Sequence, residues 1–399
     1  MVRSFIASLS CAAVLAATCW AAAPPAKPAA APAAAATTAP ALAAIPIPGA
    51  PQVDARSYIL VDYKTDKVLA ASNATERMEP ASLTKLMTAY IVFHELAVGK
   101  LKLQDMVTVS EHAWRSEGSR TFIELGKPVS VEDLILGMVV QSGNDATIAL
   151  AERIGGTEDT FAQLMNSTAK SLNMVGSHFE NSSGLPSPQH YTTARDMSLL
   201  AIAIIRDFPQ YYKYFAVHEF MHNGIRQQNR NGLLEKDPSV DGLKTGHTDS
   251  AGFCLVTSAH REGMRLISVV LGSSSMKARE NASAALLGYG FTFYDTKLIV
   301  KGGTALASTH VWKADQPTAA LGIKDDLYMT VARGQGDVKT TVEVQPKLIA
   351  PLAQDANVGV LHVIIGSQNL ANIQLHPLKL VAAGGWWRRL IDTIRLWFA

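Results

Sequence analysis

The chain has 399 residues, 48% of them apolar and 18% charged, with a formal net charge of +2. At roughly 100 to 200 residues per domain that leaves room for two or three cores, and the apolar fraction excludes a wholly disordered chain. Three cysteines exclude a disulfide-stapled scaffold, and a charge so near zero argues against a nucleic-acid binder.

Residues 1–23 have the pattern of a secretory signal: Arg3, an apolar run from Phe5 to Trp20, then Ala21, Ala22 and Ala23. Export is therefore expected. Cys11 and Cys19 would leave with the signal, so Cys254 would lack a disulfide partner even in an oxidising compartment. Residues 24–53 read as a semi-rigid linker, because alanine and proline supply 24 of the 31 residues from Ala21 to Pro51.

Residues 54–293 mix two periods. Strand composition at 57–63 and 67–70 precedes helical patterns at 83–96, 131–151, 161–172 and 195–205, and strand patterns return at 252–258 and 265–272. Strands at both ends with helices between predict one α/β domain with a helical insertion. Residues 294–383 differ. Val338, Thr340, Val342 and Val344 alternate with polar residues, which predicts a half-buried strand, and 358–365 predicts another. This segment reads as a small all-β sandwich, a spacer or docking module.

Gly384 and Gly385 break the chain before a last helix, 386–399. At about 100° per residue, Trp386, Trp387, Leu390, Ile391, Ile394, Trp397 and Phe398 fall within one arc of about 140°. Arg388, Arg389, Asp392, Thr393 and Arg395 take the other side, with Leu396 out of place. Such a helix reaches roughly 21 Å, too short to span a bilayer, but tryptophans beside arginines suit one lying in the membrane interface. Its arginines hold the basic excess of the chain, and the folded remainder is slightly acidic, with no basic surface for nucleic acid.

The chemistry lies in three short motifs. Ser82 and Lys85, at i and i+3 at the start of a helical pattern, share a face, and an unprotonated lysine can take the proton that keeps a serine hydroxyl inert. Ser142-Gly143-Asn144 follows 60 residues after Ser82, and Lys244-Thr245-Gly246 a further 102 on. Singly the first two are weak: Ser167–Lys170 and Ser274–Lys277 repeat the first spacing, and S-x-N recurs at Ser171 and Ser367. The order carries the weight. Ser142 can relay a proton, and Asn144 can donate to a substrate amide carbonyl. Lys244 would place a second cation near Lys85 and disfavour its protonation. Gly246 permits close backbone approach on a strand, where an extended peptide could pair edge-on.

The ordered set resembles that of the penicillin-recognising serine enzymes. The strings PASLTKLMT (80–88), SGNDA (142–146), GL (184–185) with YTTARDM (191–197), NRNGLL (229–234), VDGLKTGHT (240–248) and KARE (277–280) resemble those of low-molecular-weight D-alanyl-D-alanine carboxypeptidases, penicillin-binding proteins of the 5/6 type. The resemblance implies an α/β (α+β) β-lactamase/transpeptidase-like catalytic domain with a helical insertion, then a β-sandwich domain and an amphipathic anchor. It also implies a serine peptidase on the periplasmic face of the bacterial inner membrane, with no cofactor and no metal. Its substrate would be the peptidoglycan stem pentapeptide, and β-lactams would inhibit it covalently. By the same carry-over Ser82 is the nucleophile and Lys85 the base. The amides of Ser82 and His247 form the oxyanion hole, Thr245 and Arg279 hold the terminal carboxylate, and Arg230 is a supporting residue. One departure stands out: Ser183 occupies the place before Gly184-Leu185 where a histidine is expected, which bears on deacylation.

Other readings compete. His218-Glu219-Phe220-Met221-His222 is a literal H-E-x-x-H string, which on a helix would make a zinc protease. Its neighbours argue against a helix: residues 211–215 look strand-like or irregular, and Asn223-Gly224 signals a turn. A β-lactamase of class A would need a glutamate to position the deacylating water, and no E-x-x-L-N string lies between Asn144 and Lys244. A D,D-endopeptidase, and a wall-binding protein with an idle site, are the remaining alternatives.

Overall fold

The computed structural model describes residues 47–398, so the expected signal and most of the expected linker lie outside the described residues. The chain is already packed at Ala50 and Val53, which lie against an apolar cluster, and the carbonyl of Pro48 accepts from the Tyr289 hydroxyl. The described residues belong to one compact unit.

Strand-forming residues at the start make the hairpin β1 (Ser57–Asp62) and β2 (Val68–Ser72). A tight 3-10 turn, Ala81–Thr84, runs into α1 (Lys85–Ala97). The insertion follows: α2 (Glu111–Trp114) within the hairpin of β3 (Met106–Thr108) and β4 (Pro128–Ser130), then α3 (Val131–Leu136), α4 (Asn144–Gly155), α5 (Glu158–Ser171) and α6 (Ala194–Asp207). Ser110, Ser130, Thr157 and Thr193 start α2, α3, α5 and α6, each side chain accepting from the amide three residues on. Each such cap is typically worth about 1 kcal/mol. The apolar faces of α1, α4, α5 and α6 meet on one core around Leu86, Phe93, Leu150, Phe161 and Leu200.

Two expectations need correction. The predicted helix 131–151 is broken: a wide π turn, Gly137–Gln141, ends at Ser142, whose backbone is left-handed, and α4 begins afresh at Asn144. The stretch 211–215 is neither strand nor irregular. It forms the short helix α7 (Pro209–Tyr212) and a 3-10 turn, Lys213–Ala216, with Tyr212, Tyr214 and Phe215 buried.

The chain then returns to sheet. A small hairpin, β5 (Glu219–His222) with β6 (Ile225–Gln228), precedes α8 (Leu233–Lys236) and three long strands, β7 (Val240–Thr248), β8 (Gly252–Arg261) and β9 (Met264–Ser273). The main sheet is antiparallel in the order β2-β1-β9-β8-β7, so β7 is an edge strand. It is closed on its second face by α9 (Met276–Phe293).

Beyond α9 the protein is β-rich: β10 (Tyr294–Val300), β11 (Ala307–Trp312), β12 (Thr318–Gly322), β13 (Leu327–Ala332), β14 (Val338–Val344), β15 (Leu348–Ile349), β16 (Gly359–Ile365) and β17 (Gln368–Pro377). Six make a sheet ordered β14-β16-β17-β12-β11-β15, while β10 pairs with β13. Val300 of β10 shares one apolar cluster with Leu321, Leu361 and Leu375 of the larger sheet, and Leu327 of β13 packs on it. β14 forms where expected, but it is not half-buried. It is an edge strand with residues 339–343 all exposed, since among the described residues no second layer covers them. The last helix, α10, is regular from Trp386 to Leu396.

Candidate active site

Ser82 sits on the 3-10 turn, and two glycines from distant parts of the chain hold that turn in place. Gly184 has φ +88°, and a Cβ there would lie 1.8 Å from the Ala81 carbonyl oxygen. A Cβ on Gly246 would meet the Pro80 carbonyl at 3.0 Å and the amides of Ser82 and Leu83 at 3.2 Å. The close approach at Gly246 is thus made by the nucleophile's own turn, where the sequence had pointed to a substrate strand. Among the described residues no strand pairs with the outer edge of β7, where such a substrate strand could lie.

Lys85 is fully buried and its ammonium nitrogen has three partners: Ser82 Oγ at 2.9 Å, Asn144 Oδ1 at 2.6 Å and the Ser183 carbonyl at 2.7 Å. Burial, chiefly, and then the charge of Arg230 lower its pKa from 10.5 to about 7, against the opposing pull of Asp145 and Glu158. An amine so tuned can accept the Ser82 proton near neutrality. The depression expected from Lys244 therefore comes mainly from desolvation and Arg230. Lys244 is itself buried, donates to the neighbouring Thr245 carbonyl at 3.0 Å, and is held well below the ordinary lysine range by burial and by Lys85.

Ser183 contributes its backbone to this arrangement, so the residue standing in place of the expected histidine still binds Lys85 through its carbonyl. Ser142 is left-handed at φ 67°, with its Oγ buried and unpartnered among the described residues. Asn144 is more committed than expected. Its Oδ1 holds Lys85 and its Nδ2 donates to the Glu117 carbonyl at 2.6 Å, leaving one amide hydrogen for a ligand. Next to it Asp145, fully buried, accepts from the amides of Thr121, Phe122, Ile123 and Ala146 and so pins the loop that roofs Asn144.

A cavity of about 590 Å³ opens over these groups, lined by Ser82, Ser142, Asn144, Thr245 and His247 together with two arginines. Arg279 is buried, reaches the carbonyls of Gly246 and Cys254 at 3.2 and 3.4 Å, and lies over the Phe253 ring. Arg230 lines the same cavity and lowers the pKa of Lys85, Lys244 and Arg279. It is part of the cavity lining itself, beyond the supporting role expected of it. The sequence signal was the NRNGLL string, which has no apolar period to explain its arginine.

The H-E-x-x-H string lies elsewhere. Glu219 to His222 form a strand, Glu219 pairs with Arg226 at 2.6 Å, and His218 bonds Glu235 at 2.6 Å. Alternation along a strand puts Glu219 opposite His218 and His222.

The D-alanyl-D-alanine carboxypeptidase family model matches residues 45–275, more than half of the chain. The chain belongs to this family. The C-terminal domain of penicillin-binding protein 5 matches residues 294–383. D-alanyl-D-alanine carboxypeptidase DacA of Escherichia coli strain K12 is 42% identical over 361 residues, 88% of this chain and 90% of its own length. The crystal structure of penicillin-binding protein 5 from Haemophilus influenzae superposes with a TM-score of 0.80 at 39% identity, covering 83% of this chain and 98% of that one. Penicillin-binding protein D2 from Listeria monocytogenes in its ampicillin-bound form matches with a TM-score of 0.56 at 30% identity, over 60% of this chain and 98% of that one.

Proposed function

We propose that this carboxypeptidase removes the terminal D-alanine from peptidoglycan stem pentapeptides through an acyl-enzyme on Ser82. The observation that carries the reading is Lys85, buried, lowered to about 7, and 2.9 Å from the serine oxygen. The stem peptide pairs along the edge of β7, and its terminal carboxylate is met by Arg279 and Thr245, with Arg230 adding positive charge. Ser82 Oγ attacks the carbonyl between the two D-alanines while its proton passes to Lys85. The amides of Ser82 and His247 take the oxyanion, a contribution of several kcal/mol in comparable sites. Collapse expels the D-alanine amine, which receives a proton by way of Ser142. Water then cleaves the ester and frees Ser82. A β-lactam enters by the same attack, but its leaving nitrogen stays tethered, so the adduct hydrolyses slowly.

The chain works, on this reading, as an exported protein on the periplasmic face of the inner membrane, held there by α10. Support comes from how α10 sits. Asp392 is 5% exposed and accepts from the Lys313 amide at 2.8 Å, while Arg388 donates to the Asp315 carbonyl at 3.0 Å. Gly384 lies so close to Ala314 that a Cβ would be 2.7 Å from its carbonyl oxygen. Asp392 thus faces the protein, with Arg388 and Thr393 half-buried beside it, while the apolar side is turned outward, with Trp397 81% and Phe398 87% exposed, the reverse of a helix that docks its apolar face on a soluble core. That arrangement suits a lipid interface.

Replacing Ser82 with alanine tests the enzymatic reading. Cells overproducing the wild type should lose their pentapeptide stems, and the variant should leave them intact; equal depletion by both would contradict the proposal.

A further inference from the structure

Thr84 stands between Ser82 and Lys85 and is fully buried. Its hydroxyl lies 2.9 Å from Nε2 of His190, a contact spanning 106 residues. The Glu180 amide donates to His190 Nδ1 at 3.2 Å, which places the ring proton on Nε2 and makes the imidazole the donor to Thr84. His190 is itself buried, with Phe179 edge-on at 5.7 Å. Two residues further on, Thr192 exchanges both backbone hydrogen bonds with Met78 at 2.8 Å, just before the chain enters the Ser82 turn. The segment 190–192 therefore grips the turn on both sides: Met78 upstream, Thr84 downstream.

We propose that His190 is a positioning residue of this site: through Thr84 it holds Ser82 in register with Lys85, and with Phe179 it seals the floor of the lysine pocket against water. The inference rests on Lys85 acting as the base. A neutral ring is what the position demands. Burial lowers the His190 pKa to about 4, with Lys85 and His178 acting in the same direction and Glu180 against them. Arg77 and Glu79 line the groove outside the ring, where Arg77 stacks on Tyr191. Because Lys85 owes its low pKa mainly to dryness, water admitted beneath it returns it toward an ordinary lysine.

The test uses the full-length protein and a fluorescent penicillin, with the acylation rate followed across pH. His190→Ala is expected to slow acylation at neutral pH by about tenfold or more and to raise the midpoint of the profile by about one pH unit. His190→Gln, which can donate to Thr84 through its amide, is expected to restore both. Thr84→Val removes the acceptor while keeping the imidazole and the volume, and should move the midpoint in the same direction if His190→Ala does not fold. A wild-type midpoint near 7 that stays put in every variant that folds, with only thermal stability reduced, overturns the role of His190 and leaves Lys85 as base intact. A wild type without that midpoint overturns both.

Discussion

Lys85 makes the sharpest prediction. Lowering its pKa from 10.5 to about 7 corresponds to roughly 5 kcal/mol of preference for the neutral amine. The sign is that of a base disfavoured when charged: acid charges Lys85 and removes its lone pair. With a midpoint near 7 the neutral fraction falls from about nine-tenths at about pH 8 to about one-hundredth at about pH 5. Acylation by a fluorescent penicillin, measured by stopped flow as a second-order rate constant, should therefore drop by about ninety-fold over that interval and level off above about pH 8. Lys85→Arg should be slower by about a thousandfold and lose the inflection, since a guanidinium keeps its proton. A rate still climbing tenfold per pH unit beyond about pH 8 would signal an ordinary exposed lysine. A flat profile across neutrality would remove Lys85 from the role of base.

Gly246→Ala places a methyl against backbone atoms at 3.0 to 3.2 Å that cannot rotate away; acylation should fall by roughly 10 to 100-fold while thermal stability changes by only about 1 to 2 kcal/mol. Unchanged kinetics would show that the turn does not depend on that approach. Asp145→Asn weakens the anchor of the 121–123 amides, costing roughly 2 kcal/mol or more by denaturant titration. Asp145 opposes the lowering of Lys85, so the acylation midpoint should at the same time move to lower pH; a rise would contradict the electrostatic assignment. For His190, a folded pKa of about 4 against 6.5 means the unfolded chain binds the proton first as pH falls. Stability present above about pH 6.5 should be lost toward pH 4, by roughly 3 kcal/mol, and His190→Gln should lack that loss. Ending the chain at Ala383 should release it from phosphatidylethanolamine/phosphatidylglycerol vesicles with penicillin labelling intact, and persistent attachment would refute α10 as the anchor.

The parts of this site legible in the sequence are those with local grammar. The i, i+3 spacing of Ser82 and Lys85 does place them in contact, because one helical turn fixes that distance. The break at Ser142 was invisible: an apolar period runs through 131–151, and what interrupts it is a loop across the chain, where Thr121 fills the space beside Gly143 and a Cβ would stand 2.0 Å from its hydroxyl. Arg230 was placed only in support, and His190 was not singled out, for the same reason: their partners Lys85 and Thr84 are distant in sequence. The alternation at 338–344 correctly marked a strand but not its burial, which depends on whether another layer happens to cover it. Charge counting put Lys244 beside Lys85, and the two cations are electrostatically coupled; what it could not show is desolvation, the largest cause of the low Lys85 pKa, which has no signature in composition.

Turnover of a D-alanyl-D-alanine terminus through a covalent acyl-enzyme on Ser82 can be followed directly. Purified protein mixed with a stem pentapeptide, quenched in acid and analysed by mass spectrometry, tests it in one experiment. Free D-alanine should appear in step with tetrapeptide, with a transient acyl group on the peptide that carries Ser82. Release of D-alanine with the acyl group elsewhere, or cleavage only of a cross-linked dimer with the pentapeptide left whole, would contradict it.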